Sequence, residues 1–372
     1  MSAGAHQGHG SVRVGTDVKL RSPLRELKGT VDEDALESLR VVHSLGLDGA
    51  LFRTLYEMSP TLDAGHLAEI GAEAAHLGLY LEVGIGKVNP YMTAEFPEIR
   101  RLGDGSYLAG MQRMIAAAAA IGCTELWSAS GNFKAGLPGL FKNDRYRTDV
   151  DWTDQLAATV RFLHQLAPCL RDHGVHLDLE THEEITSDEV VWLVEEVGAD
   201  VLGVAYDSAN VVVHGEDPAA AARRVAPYTR MTHLRDIVMV EHELGLNRYL
   251  APCGDGVLDW TEIVAVLLAG NPALNLSIEP AGPRQPAMLA PVDDPLWRSA
   301  HPDARADEVA ALRASVAVYR DRVVRDGLPD ETALARGGRH DRTSFLQRSA
   351  RRLRDALPDD SHRLAASPAV AS

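Results

Sequence analysis

Residues 175–184 read VHLDLETHEE. His176, Asp178, Glu180 and His182 fall on one parity of this run, and Val175, Leu177, Leu179 and Thr181 on the other. Successive side chains of a β-strand point to opposite faces. The stretch is therefore a strand with one apolar face and one face of two imidazoles and two carboxylates. An antiparallel strand at a surface carries such a pattern with its polar side in water. The rest of the chain argues for a different setting.

Short β-like runs recur at 11–18, 49–55, 79–86, 124–130, 175–182, 202–210, 229–236 and 274–280. Amphipathic helical patterns alternate with them at 34–46, 63–77, 104–121, 153–173, 188–197, 218–226, 259–269 and 306–326. Several helix starts carry capping chemistry. Asp217-Pro218 sets a cap before an N1 proline, Asp259 with Glu262 reads as a capping box, and Ser187 precedes an acidic first turn. Eight strand–helix units predict an α/β fold, a parallel sheet closed into a (β/α)8 TIM barrel. A doubly wound open sheet usually opens on a glycine-rich turn, and GTDVKLRSP is not one.

On this reading the 372 residues divide into a disordered N-terminus at 1–10, a barrel at 11–329 and a C-terminal extension at 330–372. The middle of that extension, TSFLQRSARRLRDALP, predicts a short amphipathic helix. Residues 238–252 lengthen the loop after strand seven, and residues 280–302, with six prolines, follow strand eight. Both rise on the face where barrel active sites sit.

In a barrel both faces of a strand are covered, one by the interior and one by the helices. Water then cannot account for the polar face of 175–184, and a buried charge needs a partner or a metal. Later strands repeat the pattern. Gly203, Ala205 and Asp207 share a parity, as do Met231, His233 and Arg235, and again Asn275, Ser277 and Glu279. Four consecutive strands thus end with an inward acid or histidine: Glu180, Asp207, His233 and Glu279. Their spacings of 27, 26 and 46 residues are one strand–helix unit, another, and one unit plus the inserted loop. Three carboxylates and an imidazole around one point repel unless a cation sits there. Oxygen-rich ligation with one imidazole suits Mn²⁺, Mg²⁺ or Co²⁺ better than a structural zinc site. Unrelated salt bridges explain one such residue more readily than four in register.

Composition removes other classes. With 53 Asp and Glu against 37 Lys and Arg, the net charge is −16, and the clustered basic surface of a nucleic-acid binder is missing. Three cysteines without spacing are neither a disulfide framework nor a zinc knuckle. The opening MSAGAHQGHG lacks the apolar core of a signal peptide. The longest smooth apolar run, 114–121, is too short to span a bilayer. A cytoplasmic protein with no membrane partner is expected.

LDLETHEE, YDSAN, HLRD, GDGVLDW and SIEP, in that order, make the chain resemble the xylose isomerase-like TIM barrels, the sugar phosphate isomerase/epimerase superfamily. The likeness covers about 175–280; the first half fits in architecture only. The resemblance implies that Glu180, Asp207, His233 and Glu279 bind one divalent metal, Mn²⁺ foremost, with Mg²⁺, Co²⁺ or Zn²⁺ as alternatives. It also implies that Glu180 and Glu279 stand on opposite sides of the substrate and exchange its proton. AP endonucleases share this barrel but use three metals and additional histidines. Asn210 stands where they carry a histidine, and Asn247-Arg248 replaces their Asp-x-His pair.

A divalent cation can hold a carbonyl and an adjacent hydroxyl and polarise both, so that a base removes the alpha proton. Isomerisation, epimerisation and β-elimination all begin with this step. The expectation is an isomerase or epimerase of a sugar, ketose or polyol-derived ketone. The alternative is a lyase of the same superfamily: a keto-inositol dehydratase, or a C-glycoside-cleaving subunit acting on a 3-keto-glycoside with a small partner. The enzyme would be a homo-oligomer in the first case and a hetero-oligomer with that subunit in the last. His182 reads as a general acid/base or as an orienting partner of Glu180. Lys87, Arg235 and Asn210 read as substrate-binding, with Gly84 and Gly86 permitting close approach beside Lys87. Arg53 pairs at the rim or touches substrate, Asp236 caps a neighbouring loop, and Trp127 lies on the outward parity. Without a Walker loop or paired phosphate-binding glycines, a phosphorylated substrate is not indicated.

Overall fold

The eight expected barrel strands pair in parallel, in chain order. The structure is a computed structural model that describes residues 12–18, 34–134, 136–282, 286–337 and 341–358. The N-terminal segment 1–10 and the end of the C-terminal extension lie outside the described residues. The strands are β1 (Val14–Val18), β2 (Gly49–Phe52), β3 (Tyr80–Gly84), β4 (Glu125–Ser128), β5 (His176–Glu180), β6 (Leu202–Asp207), β7 (Thr229–His233), β8 (Asp236–His242), β9 (Gly245–Ala251), β10 (Leu276–Ile278) and β11 (Met288–Ala290). One sheet runs β10-β1-β2-β3-β4-β5-β6-β7. A parallel bridge between Leu234 and Ile278 brings its two ends together into a nearly closed TIM barrel, with Leu234 N donating to Ser277 O at 2.8 Å.

Register explains the alternation at 175–184. Asp178 lies opposite Trp127 and Gly203, Glu180 opposite Ala205, and Asp207 opposite His233. Residues opposite one another share a face. The inward set therefore continues from strand to strand, while Leu177 and Leu179 join the core under the helices. Trp127 is a correction. Opposite Asp178 it faces the barrel interior, where it packs with Leu51, Ala129, Ala205 and Met231. The parity of a strand of four residues is set by its neighbour's register, which its own residues do not carry.

Two helix caps differ from expectation. The cap of Ser187–Val197 is Thr186, in a full capping box with Glu189, and Ser187 is the first helical residue. Asp259 accepts from Thr261 N and Glu262 N, but Glu262 turns to Arg223 instead of completing a box.

The two segments outside the repeat are ordered together. Residues read as a loop after strand seven form the antiparallel hairpin β8–β9, and β11, from the proline-rich segment, adds to its edge. The helix Ala306–Asp326, expected as the eighth of the barrel, packs on β8 instead. Its Tyr319 sits with Val238, Val240 and Tyr249. The helix Arg342–Asp355 lies against β1 and β10. It buries Phe345, Leu346, Ala350 and Leu353 in the main core. Among the described residues no helix is long and apolar enough to cross a membrane.

Candidate functional site

Glu180 ends β5, Asp207 ends β6, His233 ends β7 and Glu279 follows β10. One ligand atom from each lies within 4.8 Å of the others, and all four residues are buried. No other group of three or more His, Cys, Asp or Glu meets that condition among the described residues. The parallel barrel produces this meeting, because strand ends at one level converge on the axis.

A shell of donors holds the cluster. Trp127 Nε1 donates to Glu180 Oε2 at 3.0 Å. Asn210 Nδ2 donates to Asp207 Oδ2 at 2.9 Å and to Glu180 Oε1 at 3.2 Å. The other Asp207 oxygen accepts from Ala209 N at 2.7 Å and Asn210 N at 3.1 Å. Arg235 pairs with Asp207 and, at 2.9 Å, with Glu279. Arg53 pairs with Glu279 and, at 2.8 Å, with Asp17. His233 Nδ1 lies 3.2 Å from Glu180 Oε1, and its buried Nε2 has no hydrogen-bond partner among the described residues.

The electrostatics follow from burial and crowding. Burial raises Asp207 to about 7, with the Glu279 and Glu180 charges adding and Arg235 opposing. Burial also works to raise Glu180, but the His233 and His182 charges outweigh it and hold this carboxyl well below the usual range. Burial works to lower His233, and the Glu180 charge and hydrogen bond reverse the sign.

The donor set fits a divalent ion. Bonds of about 2.0–2.4 Å to oxygen put atoms on opposite sides of a shared ion about 4–4.8 Å apart, and the four ligand atoms here lie within 4.8 Å of one another. Three carboxylates with one imidazole, and an unsatisfied imidazole nitrogen, are the ligands such an ion takes. Glu180, Asp207, His233 and Glu279 are the residues that could hold it.

The other expected residues fall in three places. Arg235 and Asn210 are in the donor shell. Lys87 is buried, with Nζ 4.6 Å from the Trp127 ring centroid and, among the described residues, no carboxylate within ion-pair distance. Burial lowers its pKa, against the raising effect of Glu184 and Glu180. His182 turns to the loop after β5. Its Nδ1 meets Glu184 and its Nε2 lies 3.2 Å from Glu183, so both ring nitrogens carry protons in this arrangement. Burial works against the charge, but Glu184, Glu183 and Glu180 push the imidazole up to about 9.

Gly84 and Gly86 serve packing. A Cβ at Gly84 would fall 1.9 Å from Arg53 O, and one at Gly86 would strike Ile99 and Tyr107. The space they leave is used by the protein itself. Asp236 behaves as expected: it accepts from Gly254 N, Leu258 N and Trp260 Nε1 and so organises the GDGVLDW turn. Gly256 is required there, because a Cβ would lie 2.2 Å from Asp236 Oδ1.

Sequence reasoning missed Arg248. It reaches in from β9, buried, and its Nη1 donates to Ala209 O at 2.7 Å and Asn210 Oδ1 at 3.0 Å. Its only sequence signal is a lone cation in the otherwise mostly apolar run LGLNRYLAP.

The family model described as xylose isomerase-like TIM barrel matches residues 39–314. Inosose dehydratase from Bacillus thuringiensis (strain Al Hakam) is 26% identical over 142 residues, which is 34% of this chain and 46% of that protein. The chain spans less than half the length of the curated relatives it matches. A D-psicose 3-epimerase structure determined in the presence of D-fructose has a TM-score of 0.53 at 19% identity, over 83% of this chain and 99% of that one. A xylose isomerase-like TIM barrel protein from Mycobacterium smegmatis in complex with magnesium has a TM-score of 0.54 at 17% identity, over 82% and 98%. At these identities the structural likeness is one of fold.

Proposed function

Because this chain belongs to the xylose isomerase-like TIM barrel family, we propose that it is a divalent-metal-dependent isomerase or epimerase of a sugar, ketose or polyol-derived ketone. The reaction begins with removal of a proton alpha to the carbonyl. The observation that carries this reading is the buried meeting of Glu180, Asp207, His233 and Glu279 within 4.8 Å. These four would hold one ion, Mn²⁺ foremost, which when bound polarises a carbonyl and its neighbouring hydroxyl.

The chain's own groups then have separable roles. Glu180, held by Trp127 and Asn210, and Glu279, held by Arg53 and Arg235, are the two carboxylates that take and return the proton. Fixed donors on each keep the carboxylates aimed through the transfer. Lys87, a buried ammonium beside the Trp127 ring, binds a substrate oxygen. Arg235 and Asn210, named from sequence as substrate contacts, act on the reaction through the carboxylates they order. His182, held between Glu183 and Glu184, serves a substrate hydroxyl as acid/base when that hydroxyl takes the place of Glu183 at Nε2.

A lyase is the second reading. The match to inosose dehydratase favours it, and a proton donor such as His182 suits a departing hydroxyl. One experiment addresses both. Purified protein with Mn²⁺ is incubated in D₂O with D-fructose, D-psicose, D-tagatose and an inosose, followed by NMR. Exchange of a C–H alpha to the carbonyl is expected, and it should disappear on chelation and in Glu180→Gln and Glu279→Gln. Loss of water from the inosose selects the lyase. No exchange with any of the four, metal bound, removes the proposal.

A further inference from the structure

We propose that Arg248 is a positioning residue for the four-group cluster, acting through the side-chain amide of Asn210. The inference rests on the reading above that the cluster holds a metal. The two ends of a carboxamide differ: the oxygen only accepts and the nitrogen only donates. Asn210 Oδ1 accepts from Arg235 Nη2 at 3.1 Å and from Arg248 Nη1 at 3.0 Å. Its Nδ2 donates to Asp207 Oδ2 and Glu180 Oε1. Turning the amide over would set N–H groups against two guanidinium donors and an oxygen against two carboxylates. The guanidinium pair thus dictates which end faces the cluster.

Arg235 is a poor candidate for doing this alone. The same Nη2 that meets Asn210 is also committed to Asp207 and Glu279. Arg248 is differently placed. Its ion-pair partner, Glu183, is 3.7 Å away, and its hydrogen bonds go to Ala209 O, Asn210 Oδ1 and Met288 Sδ. It is 2% exposed, so its charge is held out of water, and its close polar links converge on residues 209 and 210. Register fixes its origin: Arg248 lies between Met239 of β8 and Met288 of β11. The inserted hairpin and the proline-rich segment therefore take part in building the site.

Partners that orient metal ligands change metal affinity by about 10–100-fold when removed. The test is a calorimetric titration of the full-length protein with Mn²⁺ alone. Arg248→Met, which fills the same buried channel without donors, should raise the Mn²⁺ Kd at least tenfold while the metal-free protein keeps its near-UV circular dichroism. Asn210→Ala should do the same, and the double variant should be no worse than either single one, because both break one linkage. Arg248→Lys should recover part of the affinity. Where the methionine variant does not fold, the shorter Arg248→Gln, which falls short of Asn210, replaces it. An unchanged Kd at position 248, or losses that add in the double variant, overturns the inference. Wild-type protein that binds no Mn²⁺ would instead remove the proposed function beneath it.

Discussion

At the scale of single residues, Trp127 shows how one side chain can serve both the core and the site. Its ring fills the barrel interior and lies under Lys87 and Arg53, while its N–H is the donor on Glu180 Oε2. Trp127→Phe keeps a ring for the cations and deletes the donor together with part of the indole. A Mn²⁺ titration should show binding weaker by about tenfold. Denaturant unfolding of the metal-free protein should show a loss of about 1–3 kcal/mol from the buried oxygen left without its donor. Wild-type affinity in this variant would mean that Glu180 does not depend on the indole. The contrast with the four cluster residues is instructive. Glu180, Asp207, His233 and Glu279 were legible because each sits at the polar end of an alternating strand, and alternation is a local property. Trp127 was not, since Glu125–Ser128 takes its facing from Asp178 on the next strand.

At the scale of elements, the helix Arg342–Asp355 is the case where amphipathicity was readable and its destination was not. Its Phe345, Leu346 and Leu353 are at most 2% exposed, each worth about 1.5–3 kcal/mol of burial. That sum is a large part of the about 5–15 kcal/mol that holds a typical protein folded. A chain ending at residue 337 is therefore expected to lose its cooperative thermal transition or to aggregate. Unfolding at the full-length temperature would show that the helix is dispensable. The hairpin was hidden for a related reason. VMVEHELGLNRYLAP has strand-forming residues, but its pairing partner at 288–290 lies about forty residues on, and no local pattern announces such a distant edge.

At the scale of the whole molecule, the segments above the barrel are tied down by a pair of buried histidines. His214 Nδ1 lies 2.8 Å from His301 Nε2, joining the turn after β6 to the segment after β11, and His301 stacks on Trp297. Burial depresses both, with the Arg145 charge adding: His214 to about 3 and His301 to about 2, the latter also by its neighbour His214. Unfolded histidines titrate near 6.5, so below that pH the unfolded chain binds the extra protons and stability falls as pH falls. At pH 5 each histidine contributes a loss of about 2 kcal/mol. His301→Gln removes one of them. The stability advantage of wild type over this variant should therefore shrink by about 2 kcal/mol between pH 7.5 and pH 5, measured by urea unfolding. An advantage that is constant with pH would contradict the buried neutral pair.

The sequence by itself determined the barrel and the four groups at its rim. Both depend on periodicities of two and of 3.6 residues, which neighbouring residues write into the chain directly. Tertiary structure alone decided which helix closes the barrel, which way Trp127 faces, that two insertions become one small sheet, and that Arg248 reaches Asn210. Each of these is a contact between segments distant in sequence, and its energy depends on register and packing that no single stretch contains.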